Sequence, residues 1–86
     1  MHRTGIGDRF SEAARLLWEE MTQRSWDQSQ LAEYLGTSSG TVNRWLYGER
    51  RATGDWPFVI QDKLGIDARL WGVNAKKPFE PPAARA

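Results

Sequence analysis

Cysteine is absent from this 86-residue chain, which rules out a disulfide framework and a thiolate metal site. The absence fits a reducing compartment. Histidine occurs once, as His2, and no second histidine or inward pair of carboxylates accompanies it to build a metal site or an acid–base pair. Glu19 and Glu20 are neighbours on a helical stretch and point apart. Gly5-Ile6-Gly7 has neither the spacing nor the lysine of a phosphate loop. No apolar run approaches membrane-spanning length, and no apolar signal segment follows Met1. The expectation is a soluble, unprocessed cytoplasmic protein that is not an enzyme, with no cofactor, no membrane partner and no small-molecule ligand.

Charge of one sign is scarce too. The formal net charge is +1, far from the strongly basic balance of many nucleic-acid binders. Placement tells more than the sum. Arg44, Arg50 and Arg51 cluster with only Glu49 opposing them, while Asp8, Glu12, Glu19, Glu20 and Glu33 lie earlier.

What the chain does have is aromatic volume. Five tryptophans and three phenylalanines can fill a core in a domain near the lower size limit for folding without staples. Its length makes one domain. Residues 1–7 carry two glycines and no periodicity, and read as a flexible N-terminal arm. Residues 8–73 hold the helical patterns and read as the folded domain. Residues 74–86 hold three of the four prolines and read as a disordered tail.

A helical period begins at Asp8, with Phe10, Ala13, Ala14, Leu17 and Met21 on one face, widened by Leu16 and Trp18. A second helix has clear start signals. Asp27 can cap it, Gln30 three residues on can complete a capping box, and Trp26 and Leu31 are placed for a hydrophobic staple. Leu31, Ala32 and Leu35 form its inner face, and Gly36 ends it.

A third helix, 38–47, starts at Ser38, a good N-cap, and is closed by Gly48. At about 100° per residue, Val42 and Trp45 point one way, with Thr41 and Leu46 on the flanks. Ser39, Gly40, Asn43, Arg44 and Tyr47 occupy the other side. Only Gly36, Thr37 and Ser38 separate helices two and three, the short glycine-bearing link of a helix-turn-helix.

Residues 49–55 read as a basic loop. A fourth helix follows, capped by Thr53 or Asp55, with Pro57 near its start, Val59, Ile60 and Leu64 buried, and Gly65 as its stop. Asp67 can cap a last short turn through Trp71. The fold class is all-α, a small bundle of four to five helices around a central helix-turn-helix.

Gln28-x-x-Leu31-Ala32-x-x-Leu35-Gly36-x-Ser38-x-x-x-Val42-x-x-Trp45-x-x-Gly48 resembles the Cro/C1-type, or XRE-like, helix-turn-helix family. The likeness extends over roughly residues 10–71. It implies a lambda-repressor-like bundle that binds double-stranded DNA, a regulator of transcription of repressor type, bacterial or phage-encoded. Residue by residue, it places Ser39, Gly40 and Arg44 at base-contacting positions, Gln28 at the residue that braces a phosphate, and Thr41 and Asn43 at the groove edge. Arg50 and Arg51 match the basic loop near the backbone, and Tyr47 lies with this backbone and groove-edge set. Gly40 stands where a long polar side chain is common, Leu46 where a glutamate is common, and Thr37 where an aliphatic is usual. Physical chemistry supports two of these roles directly. An uncharged amide at a helix start can donate to a phosphate beside the helix dipole. Arg44 has the longest reach on its face, and arginine on guanine O6 and N7 is the commonest specific base contact.

The resemblance also implies a two-fold dimer. Leu70, Trp71, Val73 and Phe79 are the apolar residues left near the C-terminus, so the expectation is a weak homodimer formed on DNA through them. A competing expectation is a protein-interaction module, an antitoxin or adaptor that uses the same fold to grip a protein.

Overall fold

The computed structural model describes residues 10–75. Among them the chain forms α1 (Glu12–Arg24), α2 (Gln28–Leu35), α3 (Ser39–Leu46) and α4 (Trp56–Leu64), closed by a 3-10 turn (Ala68–Gly72). The expected arm, 1–7, lies outside the described residues, as does the expected tail beyond Ala75.

α1 starts later than the periodicity predicts. Ser11 is its N-cap, with extended backbone and a hydroxyl oxygen that accepts from the Ala14 N–H at 3.1 Å. Phe10 is therefore not helical, although it is buried with Ala13, Ala14, Leu17, Trp18 and Met21. Its helical spacing from Ala13 is coincidental: the ring enters the core from an extended segment. That segment pairs with the far end of the domain. Ser11 and Asn74 form an antiparallel bridge, Glu12 N–H donates to the Val73 carbonyl at 2.8 Å, and Ala75 N–H donates to the Phe10 carbonyl at 3.2 Å. Asn74 and Ala75, which the sequence places in the tail, thus belong to the ordered domain.

α2 begins as its residues dictate. The Asp27 carboxylate accepts from Gln30 N–H at 2.8 Å, and the Gln30 side chain accepts from Asp27 N–H at 2.9 Å, closing the capping box. Leu31 is fully buried, whereas Trp26 is half-buried with its ring against Tyr34, 5.0 Å between centroids. Gly36 ends the helix at φ +85°, a left-handed conformation that costs glycine little. Ser38 then caps α3, accepting from Thr41 N–H at 3.2 Å.

α4 starts without the side-chain cap expected of Thr53 or Asp55. Backbone carbonyls do the work instead: Thr53 accepts from Trp56 N–H at 3.2 Å, and Asp55 from Phe58 and Val59 N–H, both at 3.0 Å. Pro57 sits in the first turn, where its missing N–H removes no bond. Ile60 and Leu64 are buried and Val59 is half-buried. Asp67 caps the closing turn through its bond from Arg69 N–H at 2.8 Å.

The core gathers one face of each helix around Trp45, which meets Trp56 at 5.7 Å and Trp71 at 5.8 Å between ring centroids. This corrects the expected dimer surface. Trp71 is only 4% exposed and is spent on the core of its own chain, Leu70 is half-buried, and Val73 alone of the described three is exposed. Phe79 lies outside the described residues. Among the described residues the most exposed large apolar side chain is instead Phe58 on α4, at 63%. No helix among the described residues is long and apolar enough to cross a membrane.

Candidate nucleic-acid interface

α3 is held by one face and free on the other. Val42, Trp45 and Leu46 are buried, with Val42 and Leu46 wholly out of solvent. Their burial anchors the helix in a small core, where each such side chain contributes roughly 1.5–3 kcal/mol. The far end of the helix is pinned by α1. Trp18 Nε1–H donates to the Leu46 carbonyl at 2.8 Å, taking up one of the C-terminal carbonyls that lacks an intrahelical partner.

Ser39, Gly40 and Arg44 are exposed together on the opposite face. No ion pair among the described residues holds the Arg44 guanidinium. Gly40 has no packing reason to be glycine. A Cβ built there would find only Ser38 Oγ within reach, at 4.0 Å, an ordinary contact. The fold would accept a side chain at this point of the helix, and the sequence supplies none.

The residues expected at a groove edge are more engaged than their helix phase predicts. The Thr41 hydroxyl accepts from Ser38 Oγ at 3.0 Å and so shares in the cap. Asn43 is half-buried, and its Nδ2 donates to Gln28 Oε1 at 3.1 Å, joining α3 to the first residue of α2. Tyr47 departs furthest from its expected outer position. It is the C-cap, with φ −101° and ψ 7°, so the helical phase no longer applies to it. Its half-buried ring packs edge-on against Trp18 at 5.6 Å.

The basic loop folds back over the end of α3. Glu49 and Arg50 N–H both donate to the Arg44 carbonyl, at 3.0 and 3.2 Å, and Ala52 is buried as the loop's anchor. The two arginines then part. Arg50 is exposed, whereas Arg51 is half-buried and donates to the Asn74 Oδ1. With Glu49 and Thr53 they line an open concavity of about 690 Å³.

A second concavity, of about 550 Å³, opens where α1 ends and α2 and α3 begin. Trp18 and Trp26 are among its apolar lining, and Gln28, Ser29 and Ser39 supply its polar groups. Two helix N-termini therefore face one recess, each carrying partial positive charge from its unpaired N–H groups. The sequence pointed to Gln28 and Ser39 separately. Nothing in it marks Trp18 as a wall beside them, because Trp18 lies on α1, outside the helix-turn-helix itself.

A family model described as Helix-turn-helix matches residues 19–55, from the second half of α1 to the residue before α4. No match is found among curated proteins or among solved structures. Residues 19–55 are thus similar to the Cro/C1-type, XRE-like helix-turn-helix family, a family of DNA-binding regulators.

Proposed function

We propose that this protein is a sequence-specific binder of double-stranded DNA that regulates transcription as a repressor, in the cytoplasm of a bacterium or of a phage's host. The observation that carries the reading is the two-faced α3. Val42, Trp45 and Leu46 fix it to the core while Ser39, Gly40 and Arg44 are left together in solvent. A helix so held fits the width of the major groove. Arg44 then reads a base edge, and Ser39 and Gly40 let the helix approach closely. Gln28 and the start of α2 brace a phosphate, and Arg50 meets the flanking backbone. Arg51, already bonded to Asn74, is the less available of the loop pair.

The homodimer belongs to this proposal in a weakened form. With Trp71 in the core, Val73 and half-buried Leu70 offer little area for a partner. The protein is monomeric in free solution and pairs on a two-fold site, with half-site centres roughly 34 Å apart.

Titrating salt against binding to a random-sequence duplex tests the reading. Phosphate neutralisation gives a log–log slope of about −0.9 for each contact. A slope near zero would remove it. Exposed Phe58 favours a second reading, a protein-interaction module such as an antitoxin or adaptor, and a flat salt response with retained protein binding would install that one.

A further inference from the structure

We infer that Asn43 is a positioning residue for DNA binding: it holds the Gln28 side chain so that Gln28 Nε2 faces the phosphate arriving at the start of α2. The inference rests on the proposed function and assigns Asn43 an internal task in place of a contact at the groove edge.

The bond from Asn43 Nδ2 to Gln28 Oε1, at 3.1 Å, spans fifteen residues and joins the two helices of the motif. It uses the carbonyl oxygen of the glutamine. The remaining polar group of that amide is the NH2, with donors only. Gln28 is the first residue of α2, where backbone N–H groups lack an intrahelical acceptor. Two of the donors at this end are already satisfied by Asp27, whose carboxylate takes Gln30 N–H at 2.8 Å and whose carbonyl takes Leu31 N–H at 3.1 Å. The Gln28 and Ser29 N–H groups belong to the same helix start as the glutamine NH2. All three are donors, so the arrangement complements an anion.

Orientation is the crux. A glutamine amide turned the other way presents its oxygen to the phosphate and repels it. A glutamine held by nothing samples both faces and several rotamers, and ordering it on binding costs affinity. Asn43 removes both losses by fixing the carbonyl inward. Because Asn43 is half-buried and its own NH2 is engaged with Gln28, it acts through Gln28 and not on a base.

A double-mutant cycle on the full chain tests this, with Asn43→Ala, Gln28→Ala and the pair, measured on a random duplex and on a site selected from a random pool. Both side chains are half-buried, and thermal melts of each variant are the control that separates lost folding from lost binding. Asn43→Ala alone is expected to weaken binding about fivefold on both duplexes, leaving the preferred sequence unchanged. In the Gln28→Ala background the same substitution is expected to change affinity less than about 1.5-fold, because nothing remains to position. Additive losses, or a changed base preference in Asn43→Ala, would show that Asn43 touches DNA itself and overturn the inference. An unaltered affinity in Asn43→Ala alone would also overturn it. If the unsubstituted protein binds neither duplex, the functional reading falls first and the inference with it, an outcome distinct from additivity.

Discussion

The indole N–H of Trp18 donates to the main-chain carbonyl of Leu46 at 2.8 Å, so the middle of α1 holds the last turn of α3. Both groups are buried. Trp18→Phe keeps an aromatic ring but removes the donor, leaving that carbonyl unsatisfied. The expected cost is about 1–3 kcal/mol of folding stability, the desolvation penalty of an orphaned buried acceptor. Urea unfolding of the two proteins measures it. An unchanged midpoint would mean that the bond contributes nothing to holding α3.

Gly40→Ala separates folding from binding. Alanine is the better helix former by about 0.8–1 kcal/mol in a helix interior, and Gly40 lies in the first turn of α3 with free space around it. Stability is expected to rise by up to that amount. Affinity for duplex DNA is expected to fall, because the new methyl stands on the face that meets the groove. Thermal melts and a binding isotherm on one preparation decide it. A variant that is stabilised and binds as before would remove Gly40 from the interface.

Arg50 and Arg51 are adjacent in sequence but differ in structure, and their variants are expected to differ. Arg50→Ala should reduce the salt slope of DNA binding by about 0.9, the equivalent of one phosphate. Arg51→Ala should reduce it less, since its side chain is already bonded to Asn74. Its loss should instead loosen the closure of the domain, visible as faster amide exchange at Ala75, whose N–H is bonded to Phe10. Equal slope changes would contradict the distinction.

Asp67 gives a pH signature. The Arg69 side chain, and then its backbone N–H, hold the Asp67 carboxyl down at about 2, against an ordinary value of 3.8. A carboxyl depressed in the folded state stabilises it above the unfolded value and loses that contribution as pH falls through the folded one. The melting-temperature gap between the parent and Asp67→Asn should therefore be full at neutral pH and close between about pH 4 and about pH 2. The group is exposed, so the gap is small. A gap independent of pH would assign the effect to the cap's shape and not to its charge.

The helix-turn-helix was legible because its signals are local. Asp27 with Gln30, Gly36 and Ser38 are capping residues whose chemistry acts within one turn, and each stands where the structure uses it. Arg44 was placed on the free face by helical phase alone, and it is exposed. The failures are of another kind. Phe10 happens to fall in helical register with Ala13, and a pairing as short as Ser11 with Asn74 has no periodicity to read. Tyr47 was assigned by extending the phase of α3 past its last helical residue. Trp71 looks surplus in the sequence, because its partner Trp45, at 5.8 Å between centroids, is brought to it only by the fold. The link between Asn43 and Gln28 lies in the same class: both residues were marked, but a contact across fifteen residues follows from how two helices cross, not from either helix.

Arg44→Ala, measured by the ratio of affinities for a selected site and a random duplex, tests the central claim most directly, that α3 reads sequence through its exposed face. The account predicts that this ratio falls by roughly 1–3 kcal/mol, with relaxed preference at one base pair in each half-site, while affinity for the random duplex changes little. A variant that loses the same factor on every sequence would make Arg44 a phosphate ligand and contradict the account, as would an unsubstituted protein whose ratio is already one.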